Sequence, residues 1–269
     1  MSAGTIVLVG CGQMGSAMLR GWLASGAASR FVVVEPAGAP EVFAGSPKVE
    51  AHRSAAELSG DLAPDAVVFA VKPQGIGDIV PDYRRFARPQ TVFMSIAAGT
   101  TIAGLARHLG DAAIVRVMPN TPAAIGRAIS VACANPRVAQ GQRQLCDALL
   151  AAIGESAWVE DEGLLDAVTA VSGSGPAYVF LLIETLAAAG VKSGLPPELA
   201  ARLALATVAG SGELARVSKE TPSKLRENVT SPGGTTRAAL DMLMGEDGLA
   251  ELMDRAVAAA TRRSRELAR

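Results

Sequence analysis

The chain has 269 residues, 49% hydrophobic, 19% charged and only 4% aromatic, and its 25 basic and 26 acidic side chains leave a formal net charge of −1. A chain this apolar can offset its ordering entropy, which excludes intrinsic disorder. The charge balance offers no basic stripe to displace counterions, so no nucleic-acid partner is expected. The run Arg262, Arg263, Arg265 is interrupted by Glu266 and reads as cations gathered at a helix C-terminus. The long uncharged stretches, 1–19, 89–106 and 167–183, are broken by glycines and polar residues. Each is short of the ~20 apolar residues of a membrane span, and no membrane partner is expected. The N-terminus has no basic region before an apolar core and reads as a strand rather than a signal peptide. Cys11, Cys133 and Cys146 form no CxxC pair, which fits a reducing compartment and a cytoplasmic protein.

In chain order, Thr5–Val9 is a continuous apolar run ending at Gly10, the pattern of a buried parallel strand. A helix follows over Met14–Ser25 and stops at Gly26. Further strands are expected at Phe31–Glu35, Ala66–Val71, Thr91–Ile96, Ala113–Val117, Ile129–Ala132 and Ser156–Val159, with helices at Thr101–Leu109 and Val138–Ile153. This alternation predicts an α/β fold with an N-terminal Rossmann-type doubly wound parallel sheet. After residue 160 only helices are expected: Leu164–Val171, Pro176–Ala189, Pro197–Val217, Pro222–Asn228, Thr235–Met244 and Gly248–Leu267. Pro176, Pro197 and Pro222 suit helix starts. The expected division is therefore 1–160, dinucleotide-binding, and 161–269, an all-helical C-terminal dimerisation domain.

The segment Ala177–Ala189 is apolar on nearly every helical face. Such a helix must be covered all round, and about 110 residues of helical domain offer little material to do so. A second subunit is the expected cover, the alternative being the helix's own neighbours.

Gly10-Cys11-Gly12-Gln13-Met14-Gly15 is a G-x-G-x-x-G placed between a strand and a helix, the context its mechanism demands. The first glycine permits the turn, the second the approach of a pyrophosphate and the third close helix–strand packing, while the helix N-terminus offers N–H donors. Glu35 lies 20 residues beyond Gly15 at the end of the second strand. There an acid can accept both ribose hydroxyls and repel a 2′-phosphate, or it is an ordinary exposed carboxylate. No Arg or Lys follows in residues 36–40, so NADH is expected to be used at least comparably to NADPH. Ala70, Val71, Lys72 and Pro73 end one strand, and Arg116–Pro122, with Asn120, ends another. Strand C-termini line the ligand crevice of such a sheet, and Asn120 can both donate to and accept from a carboxamide. Lys72 and Asn120 serve equally well as turn formers.

Asn228-Val-Thr-Ser-Pro-Gly-Gly-Thr-Thr236 lies between two helices. Its glycines clear side chains from the backbone, and N–H groups and hydroxyls gather at the helix start, an arrangement suited to a small carboxylate. On the residues alone, an ordinary Ser/Thr-capped helix start is the better account.

Three long motifs, Val171-Ser-Gly-Ser-Gly-Pro-Ala-Tyr178, Gly190-Val-Lys-Ser-Gly-Leu195 and Asn228–Thr236, closely resemble pyrroline-5-carboxylate reductase, as do Ala70–Pro73 and Met118–Pro122. The resemblance spans nearly the whole chain. It implies NAD(P)H-dependent reduction of the cyclic imine 1-pyrroline-5-carboxylate to L-proline, the last step of proline biosynthesis. It also implies intertwined homodimers, often assembled further into decamers. By the same resemblance, Ser231 and the backbone of Gly233, Gly234 and Thr235 hold the substrate carboxylate, Val229 touches the ring, and the Thr236 hydroxyl, the catalytic candidate, lies near the ring nitrogen. Gly10–Gly15, Ala70–Pro73 and Asn120 match cofactor-contacting positions; Glu35 stands where many members carry a small or basic residue and prefer NADPH.

The rival readings are another small Rossmann dehydrogenase or imine reductase, with Lys192 as acid, and a nucleotide-sensing protein without turnover. The first usually requires an Asn near the lysine, which Ser193-Gly194-Leu195-Pro196 does not supply. Neither His52 nor His108 falls in a motif, and without HExxH or a Cys/His cluster no metal site is expected.

Overall fold

A computed structural model of the chain describes residues 3–268; Met1, Ser2 and Arg269, at the outer ends of the two expected domains, lie outside the described residues. The chain divides into two compact units, one formed by residues up to 173 with those from 260 onward, the other by Ser174–Ala259.

The first unit contains β1 (Ala3–Val9), α1 (Gln13–Ser25), β2 (Ala28–Val34), β3 (Val49–His52), β4 (Ala66–Phe69), a single turn α2 (Ile76–Ile79) and β5 (Val92–Ser95). It continues with α3 (Ile102–Leu109), β6 (Ala113–Met118), β7 (Ala128–Ala134), α4 (Gln140–Ala151), β8 (Gly154–Trp158) and α5 (Leu164–Val168). The eight strands form one sheet in the order β3-β2-β1-β4-β5-β6-β7-β8. Strands here read as continuous apolar runs because both faces are covered. Ile6, Leu8, Phe31, Val33 and Met94 pack on one face with Met18, Trp22 and Leu149 of α1 and α4. Val7, Val32, Val67, Phe69 and Phe93 pack on the other with Tyr83, Phe86 and Leu105. Complete burial of one such side chain stabilises the fold by about 1.5–3 kcal/mol. Thr101 caps α3 by accepting from the Gly104 N–H at 3.0 Å, a contact worth about 1 kcal/mol.

Two features differ from the expected sheet. Strand β3 was not anticipated, because Val-Glu-Ala-His shows no apolar run; it is an edge strand paired only with β2. Strand β7 runs antiparallel to β6. The connection from Met118 to Ala128 is too short for the dozen or more residues of a parallel crossover, so the chain turns back as a hairpin.

Beyond β8 the chain is helical. A π-turn, Thr169–Gly173, follows α5 and leads into α6 (Gly175–Lys192). Then come α7 (Pro197–Val217), α8 (Pro222–Asn228), α9 (Thr235–Leu243) and α10 (Leu249–Leu267). Proline occupies the first turn of α6, α7 and α8. Helices α6 and α7 approach closely at Gly190, where an added Cβ would meet the Ala200 Cβ at 3.3 Å. The polar residues Ser172–Pro176 do not break the helical path. Among the described residues, Leu164–Lys192 is one run long and apolar enough, by length and composition, to cross a membrane. Several large apolar side chains of its α6 part are open: Phe180 is 57% and Leu181 58% exposed.

Candidate active site

The sheet order reverses between β1 and β4, and ligands of open α/β sheets bind at the carboxyl ends of strands at such a switch point. A cleft of about 450 Å³ opens there, lined by the β1 end, Glu35 and Pro36, Arg53–Ala55, Ala70–Lys72 and residues of α2 and the turn after it.

The glycines divide the work as their spacing implies. Gly10 has φ +88° and donates its N–H to the Val34 carbonyl at 2.9 Å; a Cβ on it would lie 2.7 Å from the Ala70 carbonyl oxygen. A Cβ on Gly15 would lie 2.3 Å from the Gly10 oxygen, so α1 can approach β1 only without a side chain there. Beside Gly12, nothing comes within 4 Å of an added Cβ. That open space adjoins the start of α1, which has no side-chain cap, so the first N–H groups of the helix, from Gln13 and Met14 onward, lack intrahelical partners. Such a cradle can accept a pyrophosphate. The Cys11 side chain is buried, its carbonyl accepts from Ser16 Oγ at 2.7 Å, and burial pushes its thiol pKa up. Cys146 is pushed up to about 12 for the same reason. Neither is a nucleophile at neutral pH.

Glu35, the first residue after β2, is half-buried at the cleft. Its Oε2 accepts the Cys11 N–H at 2.8 Å and its Oε1 the Ala37 N–H at 3.3 Å. The carboxylate thus braces the glycine loop while lining the ligand space. Ala70 and Val71 form the floor under Gly10. Lys72 lines the cleft and caps the short 3-10 turn Pro73–Gly75, with Pro73 at its first position. Asn120 is 9% exposed, and its amide is engaged at both ends: Oδ1 accepts the Ile129 N–H at 3.0 Å and Nδ2 donates to the Ser172 carbonyl at 3.2 Å. It fastens the β6–β7 hairpin to the π-turn. In the same motif, Arg116 is buried and pairs with Glu162 at 3.0 Å.

Arg53 and Ser54, which also line the cleft, escaped the sequence reading. They enter because β2 and β3 pair at Val34 and His52, and Glu35 donates its N–H to the His52 carbonyl at 2.9 Å. The signal was present in the chain but in the neighbouring strand rather than after Glu35.

In the second unit, α8 ends at Asn228, and Val229 is exposed beyond it. Thr230 Oγ1 donates to the Arg226 carbonyl at 2.6 Å, and the Gly234 N–H donates to the Ser231 carbonyl at 3.1 Å, closing a turn. A Cβ on Gly234 would lie 2.6 Å from Ser231 Oγ. Helix α9 then starts at Thr235 from extended Gly234 with no side-chain cap. The Thr235 and Thr236 N–H groups therefore stand at a helix start without intrahelical partners. Lys192 lies in the last turn of α6, where a cation complements the helix dipole.

Residues 5–99 match the family described as NADP oxidoreductase coenzyme F420-dependent, and residues 162–267 match pyrroline-5-carboxylate reductase dimerisation. Sheet, cradle and these matches define an NAD(P)-dependent oxidoreductase whose helical part is an oligomerisation domain. The chain is 39% identical to the pyrroline-5-carboxylate reductase of Pseudomonas aeruginosa, over 100% of this chain and 98% of the relative. It is 36% identical to that of Pisum sativum, over 98% and 96%. A pyrroline-5-carboxylate reductase structure from Coxiella burnetii superposes with a TM-score of 0.89 at 32% identity, covering 98% of each chain. The Plasmodium falciparum pyrroline carboxylate reductase, solved with NADP bound, superposes at 0.83 with 30% identity over 98% of each. The chain belongs to the pyrroline-5-carboxylate reductase family.

The apolar surface of α6 lies inside the dimerisation match, the region that the match assigns to oligomerisation. Replacing Leu181 by Asp puts a charge where burial is required. A central apolar interface residue carries about 2 kcal/mol or more, so self-association is expected to weaken by at least roughly 30-fold. Sedimentation velocity over a dilution series reads this, and an unchanged species distribution would place the interface elsewhere.

Proposed function

We propose that the chain reduces 1-pyrroline-5-carboxylate to L-proline in the final step of proline biosynthesis, with NADH or NADPH as the reductant. The functional division falls at residue 160/161: a dinucleotide-binding part, and a helical part that dimerises and carries the substrate loop. Dimers, assembling further into decamers, would cover the open apolar surface of α6.

The observation that carries this reading over another dehydrogenase is the loop Val229–Thr236. The turn closed by Gly234 and Ser231 leaves the Thr235 and Thr236 N–H groups at an uncapped helix start, a place for a carboxylate. Ser231 and the backbone of Gly233, Gly234 and Thr235 anchor that carboxylate, Val229 packs on the ring, and Thr236 hydrogen-bonds the ring nitrogen. Gly10, Gly12 and Gly15 with the α1 N-terminus hold the pyrophosphate, Glu35 the adenosine ribose, and the Ala70–Pro73 stretch the path toward the nicotinamide. Asn120, fixed at the β6–β7 turn, is placed toward the nicotinamide end of the coenzyme.

When bound, reduced nicotinamide would supply a hydride for C5 of the protonated imine, whose ring nitrogen would take up the C=N electron pair. The chain's share is positioning, and holding two reactants in an attack geometry can remove roughly 7–11 kcal/mol of barrier. Thr236 keeps the nitrogen's proton in place, directly or through water. Glu35 favours NADH being used at least as well as NADPH.

One spectrophotometric assay tests the reading. Purified protein is mixed with pyrroline-5-carboxylate and each coenzyme in turn, and loss of reduced-nicotinamide absorbance is followed. Substrate-dependent oxidation with proline as product is expected. Coenzyme binding without turnover would point to nucleotide sensing instead.

A further inference from the structure

Glu35 poses a problem for a coenzyme carrying a 2′-phosphate, and the cleft contains an answer. The residues that share the adenosine end with Glu35 come from the neighbouring strand: Arg53 and Ser54, directly after β3. Strand β2 ends with Val34 opposite His52, the last residue of β3. The backbones of Glu35 and Arg53 therefore leave the sheet about one strand spacing apart, ~4.8 Å. Lys72, the other cation of the cleft, leaves from β4 on the far side of β1, about two such spacings from β2.

The other charges along this edge are already engaged. Arg30 pairs with Glu50; His52 Nε2 lies 2.6 Å from Glu50 Oε1 and its Nδ1 3.7 Å from Glu57 Oε2. Arg53 is held by its backbone, its N–H donating to Glu57 Oε2 at 2.9 Å. Its guanidinium is exposed and has no ion-pair partner among the described residues. Glu35, in turn, directs both carboxylate oxygens onto backbone N–H groups, which tempers its field at the ribose.

We infer that Arg53 is a specificity-determining residue of the coenzyme site, a cation that meets the adenosine 2′-phosphate and keeps NADPH usable beside Glu35. A guanidinium offers a planar fork of donors that suits a phosphate and stays charged at every relevant pH. Ser54, at the same edge, donates its hydroxyl to Glu57 Oε1 at 3.4 Å. The inference rests on the nicotinamide-dinucleotide reading of the cleft.

The test titrates the full-length protein with adenosine 2′,5′-bisphosphate and adenosine 5′-monophosphate by calorimetry, independently of turnover. In the unmodified protein the two nucleotides are expected to bind within a few-fold of each other, Arg53 offsetting Glu35. Arg53→Ala should weaken the bisphosphate relative to the monophosphate by about tenfold or more, the size of a lost hydrogen bond between charged groups. Arg53→Lys should recover part of the loss, and Glu35→Gln should shift the ratio the opposite way. A ratio that Arg53→Ala leaves unchanged would overturn the assignment of Arg53 alone. Absence of binding of either nucleotide, and of NADH, by the unmodified protein would overturn the dinucleotide reading and this inference with it.

Discussion

Gly12→Val is expected to weaken NAD(P)H binding by roughly 100-fold, about 2.7 kcal/mol, with little loss of fold stability. Gly15→Val is expected to damage the fold itself. The contrast follows from what a side chain would meet. Gly12 faces space with no atom within 4 Å of an added Cβ, at an ordinary φ of −67°. Valine there blocks the phosphate and costs under about 1 kcal/mol as a poorer N-cap. The resulting change in melting temperature should stay within about 4 °C. At Gly15 the Cβ lies 2.3 Å from a backbone oxygen, so α1 must move off the sheet. Overpacking of this kind costs about 3 kcal/mol or more, a fall of roughly 6–12 °C. Thermal melts beside coenzyme titrations separate the two. Normal coenzyme affinity in the Gly12 variant would move the pyrophosphate away from this loop.

Thr236→Ala is expected to lower kcat by about 100-fold or more, the low end of what a positioned proton-handling group contributes. Coenzyme affinity should change by less than about twofold, because every proposed dinucleotide contact belongs to other residues. Thr236→Ser, which keeps the hydroxyl, should recover most of the rate. The KM for the imine should rise much less than kcat falls, since Ser231 and the backbone N–H groups still hold the carboxylate. Steady-state kinetics of the three proteins decide it, and near-normal turnover by the alanine variant would remove Thr236 from the chemistry.

How far the residues alone carried the reading depended on whether the needed information was local. Strand β1, helix α1 and the glycines between them are legible because apolar run, turn and helix start follow one another within a few positions. The antiparallel β7 was equally legible in principle: the connection after Met118 is too short for a crossover, a constraint of chain length. Strand β3 was not, since an edge strand with half-exposed side chains needs no apolar pattern. Arg53 was hidden for a related reason, its nearness to Glu35 being a property of sheet pairing. Asn120, whose donor and acceptor groups read as a ligand contact, is also tied into the fold, which places one backbone partner at each end of the amide. The loop after Val229 could be read as a substrate site only through family resemblance, because its residues alone describe an ordinary helix start.

The exposed α6 has a kinetic consequence. The α/β unit encloses two cores of its own, one on each face of the sheet, and can condense as a first-order event in a single chain. Phe180, Leu181, Leu182 and Leu186 are left open on α6, so the helical part completes its burial only on collision with another chain. Recovery from denaturant is therefore expected to be at least biphasic, its later phase second-order in protein. The midpoint of unfolding is expected to rise with concentration, dilution destabilising the helical unit while sparing the α/β unit.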